Sequence, residues 1–170
     1  MRRAAIFPLT ALLPLFVLLS CQESPQGVTD TGSLELAANP HFQGAVRCTE
    51  GTDTVTCTGT IAGLGNQNIS VLVSATGTAS VECTNPGGNV APGQDTTINA
   101  SGQQTNIEVK NGKATFSVTT SPPPNPSGGS ACPNASWTAD IVSVNFTSVT
   151  VSVFQPSGSG NLVLQRTFSL

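Results

Sequence analysis

From residue 41 onward, apolar and polar residues exchange with a period of two, the pattern of strands that bury one face. Val55, Cys57, Gly59 and Ile61 alternate with Thr54, Thr56, Thr58 and Thr60. Ile69, Val71, Val73 and Ala75 alternate with Ser70, Leu72, Ser74 and Thr76, and Ala79, Val81 and Cys83 keep that phase beyond Gly77. This predicts one long strand bent at the glycine, or a hairpin. Ile107 and Val109 lead into Lys110-Asn111-Gly112-Lys113, followed by Ala114, Phe116 and Val118. Asn-Gly between alternating apolar residues is a type I′ hairpin signal. Counting back from it sets Val109 against Ala114 and Ile107 against Phe116.

Further along, Trp137, Ala139 and Ile141 alternate, but Val144 and Phe146 take the opposite parity. Such a phase change marks a bulge or a switch between sheets. Val149, Val151 and Val153 predict a further strand, the run from Pro156 to Gly160 a turn, and Leu162, Leu164, Phe168 and Leu170 the last strand. Apolar spacing of the helical kind is not sustained anywhere after the first twenty residues. About eight short strands separated by turn signals predict an all-β chain folded as one antiparallel β-sandwich over 41–170. The strand pattern resembles the immunoglobulin-like architecture. That family's buried tryptophan lies between its two inter-sheet cysteines, whereas Trp137 follows Cys132, so the resemblance extends to architecture alone. The segments from Cys83 to Gln94 and from Cys132 to Trp137 are similar to those of small exported bacterial proteins of unassigned function.

The N-terminal segment has a different order. Arg2 and Arg3 precede an apolar stretch from Ala4 to Leu19, broken by Pro8 and Pro14, and Leu18-Leu19-Ser20-Cys21 closes it. Charge, a short apolar core and a small-residue cleavage site make a secretory signal over 1–20. The stretch is too short and too broken for a span of about 20 residues. Its last four residues resemble the bacterial lipobox, which implies diacylglycerol on the Cys21 thiol and cleavage just before it. Two or three acyl chains at ~0.8 kcal/mol per buried methylene make a lasting anchor. The resemblance thus implies a membrane partner through lipid on Cys21 and a domain outside the cytoplasm. Gln22, rather than Asp, after the cysteine points to the outer membrane in a Gram-negative host. Residues 21–40, rich in Pro, Gly, Ser and acidic side chains, form the lipidated end and a flexible spacer, with Leu34 and Leu36 able to dock as a short strand.

Charge narrows the partners. The chain has six basic and nine acidic residues, and removing Arg2 and Arg3 with the signal turns −3 into −5. Nucleic acid would require a basic patch, so it is excluded. With Cys21 set apart, Cys48, Cys57, Cys83 and Cys132 remain, an even number in an exported chain, which indicates two disulfides. A zinc site lacks any CxxC pair, and His41 is the single histidine, so no metal is expected. Four cysteines allow three pairings; a turn around Thr52 and Asp53 can bring Cys48 opposite Cys57, so Cys48–Cys57 with Cys83–Cys132 is the expected one.

Chemistry finds little to build on, and the chain is expected not to be an enzyme and to use no cofactor. His41 stands alone at the entry to the first strand, without a serine–carboxylate pair. Glu82, Asp95, Glu108 and Asp140 are scattered, without the pairing of a glycosidase. Pro86 to Gly93 lacks the lysine and helix of a phosphate loop. Trp137 alternates with apolar residues and reads as core rather than as a sugar platform. The Thr54–Thr60 ladder finds a comparable row only in Ser148, Thr150 and Ser152, and reads as a wet strand face rather than a lattice-matching surface. Four Asn-x-Ser/Thr matches, at Asn68, Asn99, Asn134 and Asn145, follow from composition in a bacterial chain. The expected role is therefore a non-catalytic binding or structural module of the envelope. The alternative is a carbohydrate-recognition or adhesion domain that meets a glycan or protein ligand through loops 84–95 and 121–135. Asn85, Gly87, Gly88, Asn89 and Gln94 are the candidate contacts, on a loop whose base Cys83–Cys132 would fasten.

Overall fold

A computed structural model describes residues 39–158 and 160–170. The expected signal, Cys21 and nearly all of the spacer, with Leu34 and Leu36, lie outside the described residues.

The strands are β1 (His41–Glu50), β2 (Val55–Ala62), β3 (Ile69–Thr84), β4 (Val90–Pro92), β5 (Thr96–Ile107), β6 (Lys113–Thr119), β7 (Thr138–Gln155) and β8 (Asn161–Ser169), with a four-residue helix α1 (Gly128–Ala131) before β7. Two antiparallel sheets pack face to face. One has the order β1-β2-β6; the other has β4-β3-β7-β8, with β5 also paired to β3. First, second and sixth strands facing third, seventh and eighth is an immunoglobulin-like grouping.

The alternation accounts for the core. Val55, Cys57 and Ile61 from β2, Ile69, Val71 and Val73 from β3, Phe116 from β6 and Val149, Val151 and Val153 from β7 are fully or almost fully buried in one cluster. Phe42 of β1 and Phe168 of β8 meet edge-on, with ring centroids 6.5 Å apart, and join the two sheets along one side. On the opposite side Ser121 N–H donates to the Ser101 carbonyl at 2.9 Å.

The 69–84 pattern proves to be one strand of 16 residues, with a register irregularity against β7 at Thr76/Gly77, where the bend was expected. Three readings need correction. Asn111 and Gly112 adopt the positive φ of a type I′ turn, 51° and 71°, and Lys110 and Lys113 exchange backbone hydrogen bonds of 2.8 and 3.0 Å. The flanking strands then separate. Ile107 pairs with Ile69 in one sheet, and Phe116 faces Gly59 in the other, so the predicted Ile107–Phe116 and Val109–Ala114 register does not form. Both side chains still reach the same core, from opposite sides, which buries more apolar surface than a two-stranded ribbon could. Also, Val149–Val153 is not a separate strand. It continues β7 past a second irregularity at Thr147, after a first at Val142 that accounts for the parity change.

The third correction concerns the polar pattern. Ser148, Thr150 and Ser152 belong to β7, in the other sheet from Thr56, Thr58 and Thr60. The neighbours of that ladder are Thr119, Ser117 and Thr115 of β6, paired in that order. Thr49 of β1 lies on its other side, opposite Thr56. The Thr56 and Thr119 hydroxyls are 2.8 Å apart and those of Thr60 and Thr115 3.4 Å. The outer face of the smaller sheet is thus a hydroxyl surface whose members bond to one another, a common stabilising cross-strand arrangement.

Candidate functional site

Both expected disulfides are present. Cys48 and Cys57 are direct partners across β1 and β2, with Cα atoms 4.1 Å apart. Cys83, near the end of β3, joins Cys132, just after α1, with Cα atoms 5.7 Å apart. The second bond sits over a small cluster of Val81, Cys83, Ala131 and Ala139, against which Trp137 packs half-buried. Trp137 therefore supports the base of the loops, apart from the main core.

The first loop is tighter than its length suggests. Val90 to Pro92 form β4 and pair back onto Glu82–Thr84, which reduces the open part to Asn85–Asn89. Asn85 holds this turn through its own side chain: Oδ1 accepts from Gly87 N–H and Asn89 N–H, both at 2.9 Å. Gly88 has the positive φ, 82°, that the turn requires. The structure therefore gathers Asn85, Gly87, Gly88 and Asn89 into one turn but spends the Asn85 carbonyl within it. Gln94 stands apart, exposed, with its backbone N–H donating to the Ala131 carbonyl at 2.8 Å. The loops are joined at their bases by this bond as well as by the disulfide.

The second loop does more outside itself. Asn125 Nδ2 donates to Asp140 Oδ1 at 3.0 Å, and Ile141 N–H donates to Asn125 Oδ1 at 3.0 Å. Asn125 thus stands where a neighbouring strand would otherwise pair with β7. Beside it is a cleft of about 290 Å³. Its walls are Thr52 and Asp53 from the β1–β2 turn, Pro122, Pro123 and Asn125 from the second loop, and Ile141–Val144 from β7. The sequence marks this place only through the parity break between Ile141 and Val144. The side-chain bridge from Asn125 has no local signal, since it joins a proline-rich loop to a strand 16 residues later.

The titratable groups are spread over the surface, except that two of the carboxylates expected to be scattered are cross-strand neighbours. His41 is exposed, its Nδ1 2.9 Å from the Asn39 carbonyl oxygen. Glu82 and Asp140 are directly opposite each other on β3 and β7, both exposed. Glu108 pairs with Lys110 at 3.1 Å, well out in solvent. Among the described residues, no three of His, Cys, Asp and Glu converge as a metal site would require. No protein family, curated protein or solved structure matches this chain.

Proposed function

We propose that this chain is an exported lipoprotein, held at a membrane surface by lipid on Cys21, whose sandwich works by contact, as a binding or structural module of the bacterial envelope. The observation that carries this reading is the pair of disulfides, Cys48–Cys57 and Cys83–Cys132. Bonds of this kind persist in oxidising compartments and are rare in a reducing cytosol. They agree with the signal-like order of Arg2-Arg3, the apolar stretch and Leu18-Leu19-Ser20-Cys21. Surfaces of paired hydroxyls, a self-bonded Asn85 turn and exposed carboxylates that gather no more than two together favour contact over chemistry. Of the two loops, 121–135 is the one that contributes walls to a cleft, through Pro122, Pro123 and Asn125.

The test is metabolic labelling with a palmitate analogue in a bacterial host, with Cys21→Ala beside the native chain. The native chain should take up label and fractionate with membranes, while Cys21→Ala should do neither and retain its signal. Labelling that survives the substitution would overturn the lipoprotein reading.

A further inference from the structure

The strand β7 is longer than the strands that cover it. On one edge it pairs with β3 over its whole length, from Thr138↔Thr84 to Phe154↔Ser70. On the other edge β8 pairs only from Ser148 onward, and Leu170 N–H adds one bond to the Thr147 carbonyl at 3.2 Å. Among the described residues, Thr138–Phe146 therefore has no strand on that side. Asn125 supplies one residue's worth of pairing, to Ile141 N–H. The cleft opens at this place, and the irregularity at Val142 leaves that side chain 60% exposed beside Pro122 and Pro123. Bulges and prolines ordinarily protect an edge. Here they also leave a recess of mixed apolar and polar walls next to unpaired backbone, the combination that strand-adding recognition uses: main-chain bonds for affinity, recesses for alternate side chains.

Charge indicates the occupant. Asp53 lines the cleft, and Asp140 adjoins it, accepting from Asn125 of the cleft wall; Glu82 lies across from Asp140 on β3, one strand farther from the open edge. Like charges directly opposite each other across strands repel, and the Lys110–Glu108 ion pair does not involve any of these three. The walls of the cleft include no aromatic ring on which a sugar could stack. We infer that the edge of β7 from Ile141 to Phe146, with the adjoining cleft, docks an extended segment of a partner protein in which apolar and basic side chains alternate. The inference rests on the binding-module reading and specifies its partner.

The probe is a fluorescent synthetic peptide of alternating Val and Lys, read by anisotropy against the full chain in detergent micelles. Two control peptides alternate Val and Glu, or carry N-methyl groups on every second amide of the Val-Lys peptide. The Val-Lys peptide should bind, and the Val-Glu and N-methylated peptides should not. Val142→Lys changes an exposed side chain and should weaken binding by about thirtyfold or more, a hot-spot loss. Asp53→Asn should weaken it less, and more so at low salt. No binding by the Val-Lys peptide, or binding that ignores both N-methylation and Val142→Lys, would overturn the inference. Neither result bears on palmitate labelling at Cys21, which tests the lipoprotein reading separately.

Discussion

Thr120 takes both backbone bonds of Val55: Val55 N–H donates to Thr120 Oγ1 at 3.0 Å, and Thr120 N–H donates to the Val55 carbonyl at 2.9 Å. Both residues are buried. The pair extends the β2–β6 ladder one step beyond Thr56↔Thr119, and the chain then leaves for the proline-rich loop.

Thr120→Val keeps the shape of the side chain and removes the acceptor. Leaving a buried N–H without a partner costs about 1–3 kcal/mol. Urea unfolding should show a lower midpoint with unchanged slope, and Thr120→Ser should restore most of the loss. A Thr120→Val midpoint equal to that of the native chain would mean that water reaches Val55.

The two disulfides should contribute unequally. Chain-entropy estimates give ~2.7 kcal/mol for the shorter loop and ~4.1 kcal/mol for the longer, as upper values. Replacing Cys83 and Cys132 together by Ala should therefore destabilise more than replacing Cys48 and Cys57. The longer bond also fastens the base of both loops, so its loss should raise hydrogen exchange at Gln94, whose N–H reaches Ala131. Peptide mapping without reduction should find Cys48 linked to Cys57 and Cys83 to Cys132.

Asn85→Ala should loosen one turn and little else. Two hydrogen bonds from Gly87 and Asn89 would be lost at an exposed site. Net bonds of this kind contribute about 0.5–1.5 kcal/mol. Amide exchange should rise at 85–89 and stay unchanged in β7. Faster exchange throughout the sandwich would give the turn a larger role than these contacts provide.

Local signals suffice where the physics is local. The Asn111-Gly112 turn follows from backbone sterics, and the Cys48–Cys57 pairing follows from a short turn between two strands. The wrong register around Asn111-Gly112 arose because a turn fixes how the chain reverses, while burial decides which strand each arm joins. Ile107 finds Ile69, and Phe116 finds Gly59, and neither preference is written near the turn. The same misassignment hid the Thr115, Ser117 and Thr119 row beside the β2 ladder. Ile98 and Ala100 of β5 are buried, but between Thr97, Asn99 and Ser101 they give too weak an alternation to announce a strand. At the cleft, Val142 was visible as a broken parity. Its walls come from three separate parts of the chain, which no periodicity connects.

The bond between Cys48 and Cys57 also shapes how the sandwich bears load. A pull from the N-terminal side enters β1 at His41, which lies opposite Ala62, at the end farthest from the β1–β2 turn. The strand would open there like a zipper, one pair at a time, at low force. Opening stops at Cys48. The stretch from His41 to Cys48 is already extended in the strand, so peeling swings an arm of about 25 Å, at ~3.5 Å per residue, away from β2 without unspooling further chain. Tension then passes through sulfur to Cys57 of β2, which β6 still pairs along its length. A domain hung from its N-terminal side would thus have a short stroke with a hard stop, absorbing a tug in its outermost strand while the packed interior stays closed.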